Sequence, residues 1–224
     1  MPGRHVLIFD LDGTLIDTMG PLADLFCDML REEHGVAEEV SRPIYVELAG
    51  KGPRPQFKAV LSTIGRLDEA VLDDITARYW VAAERFEPAP FPETASALAV
   101  LRAGGHAMAV SSGGTTPSVQ RKLRRTGIDG FFPIALGTDE GVPGMRKGPG
   151  HLEIVARSLA LRDGELQARG VFVGDAVYDM QVARDAGIRA VGRVSDGNAS
   201  ALRSAGAQHL IQDLREIEAL LAAL

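Results

Sequence analysis

The sequence predicts an α/β protein: a parallel sheet core with helices on both faces and an all-helical insertion after the first strand. Three observations carry this. Short apolar runs recur along the chain with helical patterns between most of them, acidic residues directly follow two of those runs, and one long interval contains no strand-like run at all. A length of 224 residues is enough for one large domain carrying such an insertion.

Taken in order, Val6, Leu7, Ile8 and Phe9 read as a buried parallel strand that ends at Asp10 and Asp12. Open α/β sheets place their chemistry at that end. From residue 17 to residue 87 the apolar residues recur at helical spacing. Leu22, Leu25, Phe26 and Met29 supply one stripe, Phe57, Val60 and Leu61 a second, and Val71, Ile75, Tyr79 and Ala82 a third. Asp17 and Thr18 are candidate N-caps for the first helix, and Cys27 is expected to be a buried packing residue. Pro88-Ala89-Pro90-Phe91-Pro92 is a stiff connector back to the sheet, because each proline restricts itself and the residue before it. The expected division is therefore 1–16 and 88–224 for the core and 17–87 for the insertion. Five further strand-like runs follow, at 107–110, 133–136, 170–173, 189–191 and 209–211.

Composition excludes several classes of function. The hydrophobic fraction is 46% and the charged fraction 24%, with no apolar run long enough to cross a bilayer. A formal net charge of -6 argues against a nucleic-acid partner, which needs clustered Lys and Arg. One cysteine permits no intrachain disulfide, and the apolar strand begins too close to the N-terminus for a signal peptide, so cytoplasmic residence is expected. The expected partner is small, with no nucleic acid and no membrane, and the expected state is a monomer or homodimer.

The strongest motif is Asp10-Leu11-Asp12-Gly13-Thr14. Two acids two residues apart beyond a strand end can point into one crevice, Gly13 permits close backbone approach to a ligand, and Thr14 adds a hydroxyl. Gly174-Asp175-Ala176-Val177-Tyr178-Asp179 follows another apolar run. Asp175 and Asp179 either cap the helix running to Ala186 or join the first two acids at the sheet edge. Four carboxylates brought together repel and raise one another's pKa unless a cation sits among them. Oxygen-only ligands with no Cys or His cluster favour Mg²⁺ over zinc. Ser111-Ser112-Gly113-Gly114 is either an anion-binding turn or a plain helix cap. Lys147, one of four lysines, suits a phosphoryl oxygen as a point charge or is a solvated surface residue. His5, His106 and His151 receive no role.

These residues resemble the haloacid dehalogenase-like hydrolase superfamily, in its phosphoglycolate phosphatase and β-phosphoglucomutase branch. FDLDGTLIDT is similar to the family's first motif, Ser111 falls where the second has Ser or Thr, Lys147 matches the third, and GDAVYD the fourth. The resemblance implies a Rossmann-like core with a helical cap inserted after the first motif. It implies a phosphatase of a small phosphorylated metabolite, in which Asp10 is the nucleophile and Asp12 the general acid and base. Ser111 and Lys147 would bind the transferring oxygens. Mg²⁺ would be held by Asp10, Asp12 through its main-chain carbonyl, and Asp175, with Asp179 in support. Thr14, Ser112 and Gly113 complete the candidate substrate contacts. In the cap, Lys51 and Arg54 of the loop Ala49 to Arg54 are candidates for a second anionic group or form a solvated turn. The alternative is a β-phosphoglucomutase-like phosphosugar mutase, because Arg54 follows Gly50 much as in that group. Two departures stand out: Lys147-Gly148-Pro149 replaces Lys-Pro, and Ser112-Gly113 replaces the Asn-Lys common in phosphoglycolate phosphatases.

Overall fold

Strand β1 (Val6–Phe9) buries all four of its side chains, as a strand must when helices cover both faces of its sheet. A computed structural model describes residues 4–87, 89–139, 141–195 and 197–223, so Pro88 of the predicted connector lies outside the described residues. Four helices follow β1: α1 (Met19–His34), α2 (Glu38–Glu47), α3 (Pro53–Thr63) and α4 (Glu69–Ala83). The chain then alternates through α5 (Thr94–Ala103), β2 (Ala107–Ser111), α6 (Thr116–Arg125), β3 (Ile134–Leu136), α7 (Pro149–Ser158), α8 (Glu165–Arg169) and β4 (Gly170–Gly174). It ends through α9 (Val177–Asp185), β5 (Arg189–Arg193), α10 (Ala199–Ala205), β6 (His209–Ile211) and α11 (Glu216–Ala222). Each predicted strand run is a strand.

The sheet order is β3-β2-β1-β4-β5-β6, and every pairing is parallel. β1 lies between β2 and β4, with Phe9 level with Val110 on one side and Val173 on the other. Strand order reverses at this point, so the crevice beyond β1 and β4 is where an open sheet accepts a ligand. Side chains two apart share a face. Leu7 and Phe9 accordingly pack with α5, α6 and α11, whereas Val6 and Ile8 pack with α7 to α10.

Helices α1 to α4 bury a third cluster of their own, in which Phe26 stacks at 4.5 Å from Phe57 and 5.2 Å from Tyr45. Cys27 is buried there, as expected. The third predicted stripe is out by one position at both ends: Leu72, Ile75, Tyr79 and Ala83 face inward, and Val71 is exposed. Helix α4 starts at Glu69, where the Asp68 carboxylate accepts the Ala70 and Val71 N–H groups. Helix α2 stood out in no stripe because it buries only Ser41 and Tyr45. Thr18 occupies the N-cap position of α1, but neither it nor Asp17 caps that helix through a side chain.

The two passages between sheet and helices run side by side. Asp17 N–H donates to Ala89 O at 2.8 Å, and Phe91 N–H donates to Leu15 O at 3.3 Å. Arg193, at the end of β5, donates to Thr14 O at 3.1 Å and to Glu93 Oε1 at 2.8 Å, fixing both passages to the sheet edge. Among the described residues no helix is long and apolar enough to cross a membrane.

Candidate active site

Asp10 sits just past β1, anchored by its N–H to Val173 O of β4 at 2.9 Å. Its Oδ1 lies 2.6 Å from Lys147 Nζ, and the same ammonium lies 2.5 Å from Asp179 Oδ1. One carboxylate oxygen from each of Asp10, Asp175 and Asp179 falls within 4.8 Å of the others. Two glycines make this crowding possible. A Cβ at Gly174 would lie 2.6 Å or closer to three atoms of Asp179, and a Cβ at Gly13, whose φ is +84°, would overlap the Asp175 carboxylate. Asp179 also accepts the Ala176 N–H at 3.2 Å, so it caps the start of α9 and joins the cluster at once.

Two of the three crowded carboxylates, Asp10 and Asp179, share one ammonium. Burial, and then the neighbouring Asp179 and Asp175, push the Asp10 carboxyl well above its ordinary range against the opposing pull of Lys147. Asp175 is pushed up to about 7 by burial and by Asp179. Burial alone would lower Lys147, but the Asp10 and Asp179 carboxylates override it and keep the ammonium charged. An all-oxygen donor set with a surplus of negative charge suits a hard divalent cation, so these residues fit Mg²⁺.

Several predicted residues take different places. Ser111 is fully buried, with its Oγ 2.8 Å from His151 Nδ1. Ser112, one residue further, lines the crevice beside Gly113, because consecutive side chains leave a strand on opposite faces. Thr14 is fully buried, and its hydroxyl donates to Asp175 Oδ1 at 2.8 Å, so it supports the cluster. The Asp12 side chain is outside the carboxylate cluster and pairs instead with Lys122, whose Nζ lies 2.6 Å and 2.7 Å from its two oxygens. Thr18 donates its hydroxyl to Asp12 Oδ1, the use to which this candidate N-cap is put. The extra Gly148 does not shorten the reach of Lys147, because a φ of +134° open to glycine absorbs it.

The loop between α2 and α3 does reach the crevice, but with backbone. A Cβ at Gly113 would lie 2.7 Å from Gly50 O and 3.0 Å from Gly52 N, so the two glycine turns touch main chain to main chain. Lys51 is exposed and lies 5.5 Å from the Tyr178 ring centre. Arg54 is paired with Glu69 and Asp73, each at 2.8 Å. Both line a cavity of about 390 Å³ that contains none of the clustered acids. The cavity that does contain Asp10 and Asp12 is about 60 Å³. Lys122 and Thr18 were missed by sequence reasoning. The only available signal for Lys122 was the scarcity of lysine.

His151, to which the sequence assigns no role, is buried between Ser111 and Gly137. Its Nε2–H donates to Gly137 O at 3.1 Å, which leaves Nδ1 to accept from Ser111 and makes the ring neutral. Burial depresses its pKa to about 4 from 6.5. The unfolded chain therefore binds the extra proton first, and the contribution of His151 to stability is full above pH ~6.5 and lost as pH falls toward ~4, up to about 3 kcal/mol. Thermal unfolding with saturating Mg²⁺ should show a shallower pH slope for His151→Gln than for wild type across that window. Parallel slopes would remove His151 from the linkage.

Residues 5–187 match the family model for haloacid dehalogenase-like hydrolases, and the protein belongs to that family. It is 30% identical over 193 residues to the probable phosphatase IndB of Dickeya dadantii, covering 84% of this chain and 80% of that one. It is 31% identical over 196 residues to a phosphoglycolate phosphatase of Pectobacterium atrosepticum, covering 83% and 78%. A hydrolase of Pseudomonas syringae shares the fold with a TM-score of 0.81 at 20% identity, over 99% of both chains.

Proposed function

We propose that this hydrolase is a phosphatase that releases inorganic phosphate from a small phosphate monoester of the phosphoglycolate or sugar phosphate type. The supporting observation is three crowded carboxylates, two of them paired with a single buried lysine, at the sheet's switch point. Asp10, Asp175 and Asp179 would hold Mg²⁺, with Asp12 offering its main-chain carbonyl. A cation held there would supply charge neutralisation for the transferring oxygens.

In the first half-reaction an Asp10 carboxylate oxygen attacks phosphorus in line and the bond to the leaving oxygen breaks, while Asp12 gives that oxygen a proton. In the second, Asp12 takes a proton from water as the water attacks the phosphorus of the Asp10 acyl phosphate. The phosphorus bond to Asp10 then breaks, returning the carboxylate and releasing phosphate. Lys147 and Ser112 bind the transferring oxygens. The Ser112 hydroxyl accepts the Gly114 N–H at 3.1 Å, which leaves its own hydrogen to donate.

Residues 17–87 serve as the cap in this proposal, closing on the core through Gly50 and Gly52. Ligand pockets are commonly ~300–1,000 Å³. A crevice of about 60 Å³, open to solvent on one side, therefore suits a compact substrate. The alternative is a phosphosugar mutase, suggested by Arg54, which here pairs with Glu69 and Asp73. Cytoplasmic residence belongs to the same proposal.

The test is phosphate release from p-nitrophenyl phosphate and from phosphoglycolate. EDTA should reduce it to background and added Mg²⁺ should restore it. Release that is indifferent to chelation, or an isomerised sugar phosphate without free phosphate, would overturn the proposal.

A further inference from the structure

Asp10 and Asp12 stand two residues apart in one motif, yet each has its own lysine. Lys147 takes Asp10 together with Asp179, and Lys122 takes Asp12. Two of the four lysines in the chain are therefore spent here. Lys122 projects from α6, 110 positions away in sequence, and its Nζ reaches both carboxylate oxygens of Asp12. Neither side chain is more than 17% exposed. Among the described residues lining the cavity beside Asp10, Lys122 is the only cationic one.

We propose that Lys122 is a positioning residue that aims the Asp12 carboxylate at the leaving group and keeps it out of the cation cluster. The proposal rests on the phosphatase reading given above. An ammonium bonded to both oxygens fixes the rotation of the carboxylate, and α6 is a firm base because Val119 and Leu123 on either side of Lys122 are buried in the core. Without Lys122 the Asp12 side chain is free to turn, and three acids within 4.8 Å of one another already crowd the adjacent space. A carboxylate drawn there by a cation is lost to proton transfer. Lys122 thus separates two chemically identical side chains into a nucleophile and an acid.

The ratio kcat/KM reports the steps up to departure of the leaving group, and nitrophenolate departs without needing a proton. In the Mg²⁺-loaded Lys122→Met protein, kcat/KM should fall ~10²-fold for phosphoglycolate and no more than ~3-fold for p-nitrophenyl phosphate. A burst of nitrophenolate should also appear, because hydrolysis of the Asp10 acyl phosphate still needs a positioned base. If Lys122→Met does not fold, Lys122→Gln, which keeps a polar end on a stem two methylenes too short to hold both Asp12 oxygens, carries the same expectations. An equal fall on both esters would make Lys122 merely structural. A rise in KM at unchanged kcat would make it a substrate-anion contact, and no change at all would leave it idle; each overturns the proposal. A wild-type protein that releases no phosphate in a Mg²⁺-dependent way from either ester defeats the phosphatase reading itself, whereas an active wild type with an unchanged variant ratio defeats only this inference.

Discussion

Asp10→Asn is expected to abolish turnover, with a loss of at least ~10⁴-fold in phosphate release. Uncatalysed phosphate monoester hydrolysis is among the slowest of reactions, and an amide in place of the carboxylate removes the covalent route that divides it into two steps. The same substitution should leave the fold intact. Asp10 is one of three crowded acids, and burial already holds its carboxyl well above the ordinary range. Replacing it by a neutral side chain of the same shape relieves repulsion, while Lys147 keeps Asp179 at 2.5 Å. Phosphate release and thermal unfolding in EDTA should therefore move apart, with activity lost and the unfolding temperature equal to or above that of wild type. Undiminished activity would remove Asp10 from the mechanism, and a lowered unfolding temperature would show that its charge is needed for folding.

The sheet was legible because parallel strands buried on both faces are apolar runs, and Val6–Phe9 and Gly170–Gly174 each end directly on an acid. The division of labour at the site was less legible, for reasons of register and distance. Ser111 and Ser112 are adjacent and chemically equal, so only the exact end of β2 decides which one faces the crevice and which meets His151. Lys122 lies in the run Arg121-Lys122-Leu123-Arg124-Arg125, which reads as the solvated face of an amphipathic helix. Only the parallel crossover that places α6 over the sheet edge brings it to Asp12. For Arg54 the sequence left open a second anionic group or a solvated turn, and it could not show that Glu69 and Asp73 on α4 lie within hydrogen-bond reach. Local sequence thus specifies which groups are present, and long-range packing decides which of them meet.

Lys147→Met should damage stability and catalysis together, by separable routes. Lys147 is 4% exposed, and its ammonium is the one positive group bonded to Asp10 and Asp179 among the described residues. Removing one partner from a buried ion pair typically costs about 3–5 kcal/mol, because the remaining charge is left without compensation. At roughly 2–4 °C per kcal/mol for a chain of this size, the unfolding temperature in EDTA should fall by ~6–20 °C. A divalent cation that binds only the folded acids stabilises the fold in proportion to its saturation, so added Mg²⁺ should recover much of that loss. Activity should not recover with it. The transferring oxygens would still lack a fixed ammonium, and withdrawal of one such preorganised charge costs ~10²–10³ in kcat. A variant whose unfolding temperature rises with Mg²⁺ more steeply than that of wild type, while kcat stays low, would place Lys147 both as counter-ion to the acids and as a ligand of the reacting phosphoryl group. If Mg²⁺ gave no extra stabilisation to the variant, the three acids would not be sharing a cation, and the proposed chemistry would lose its foundation.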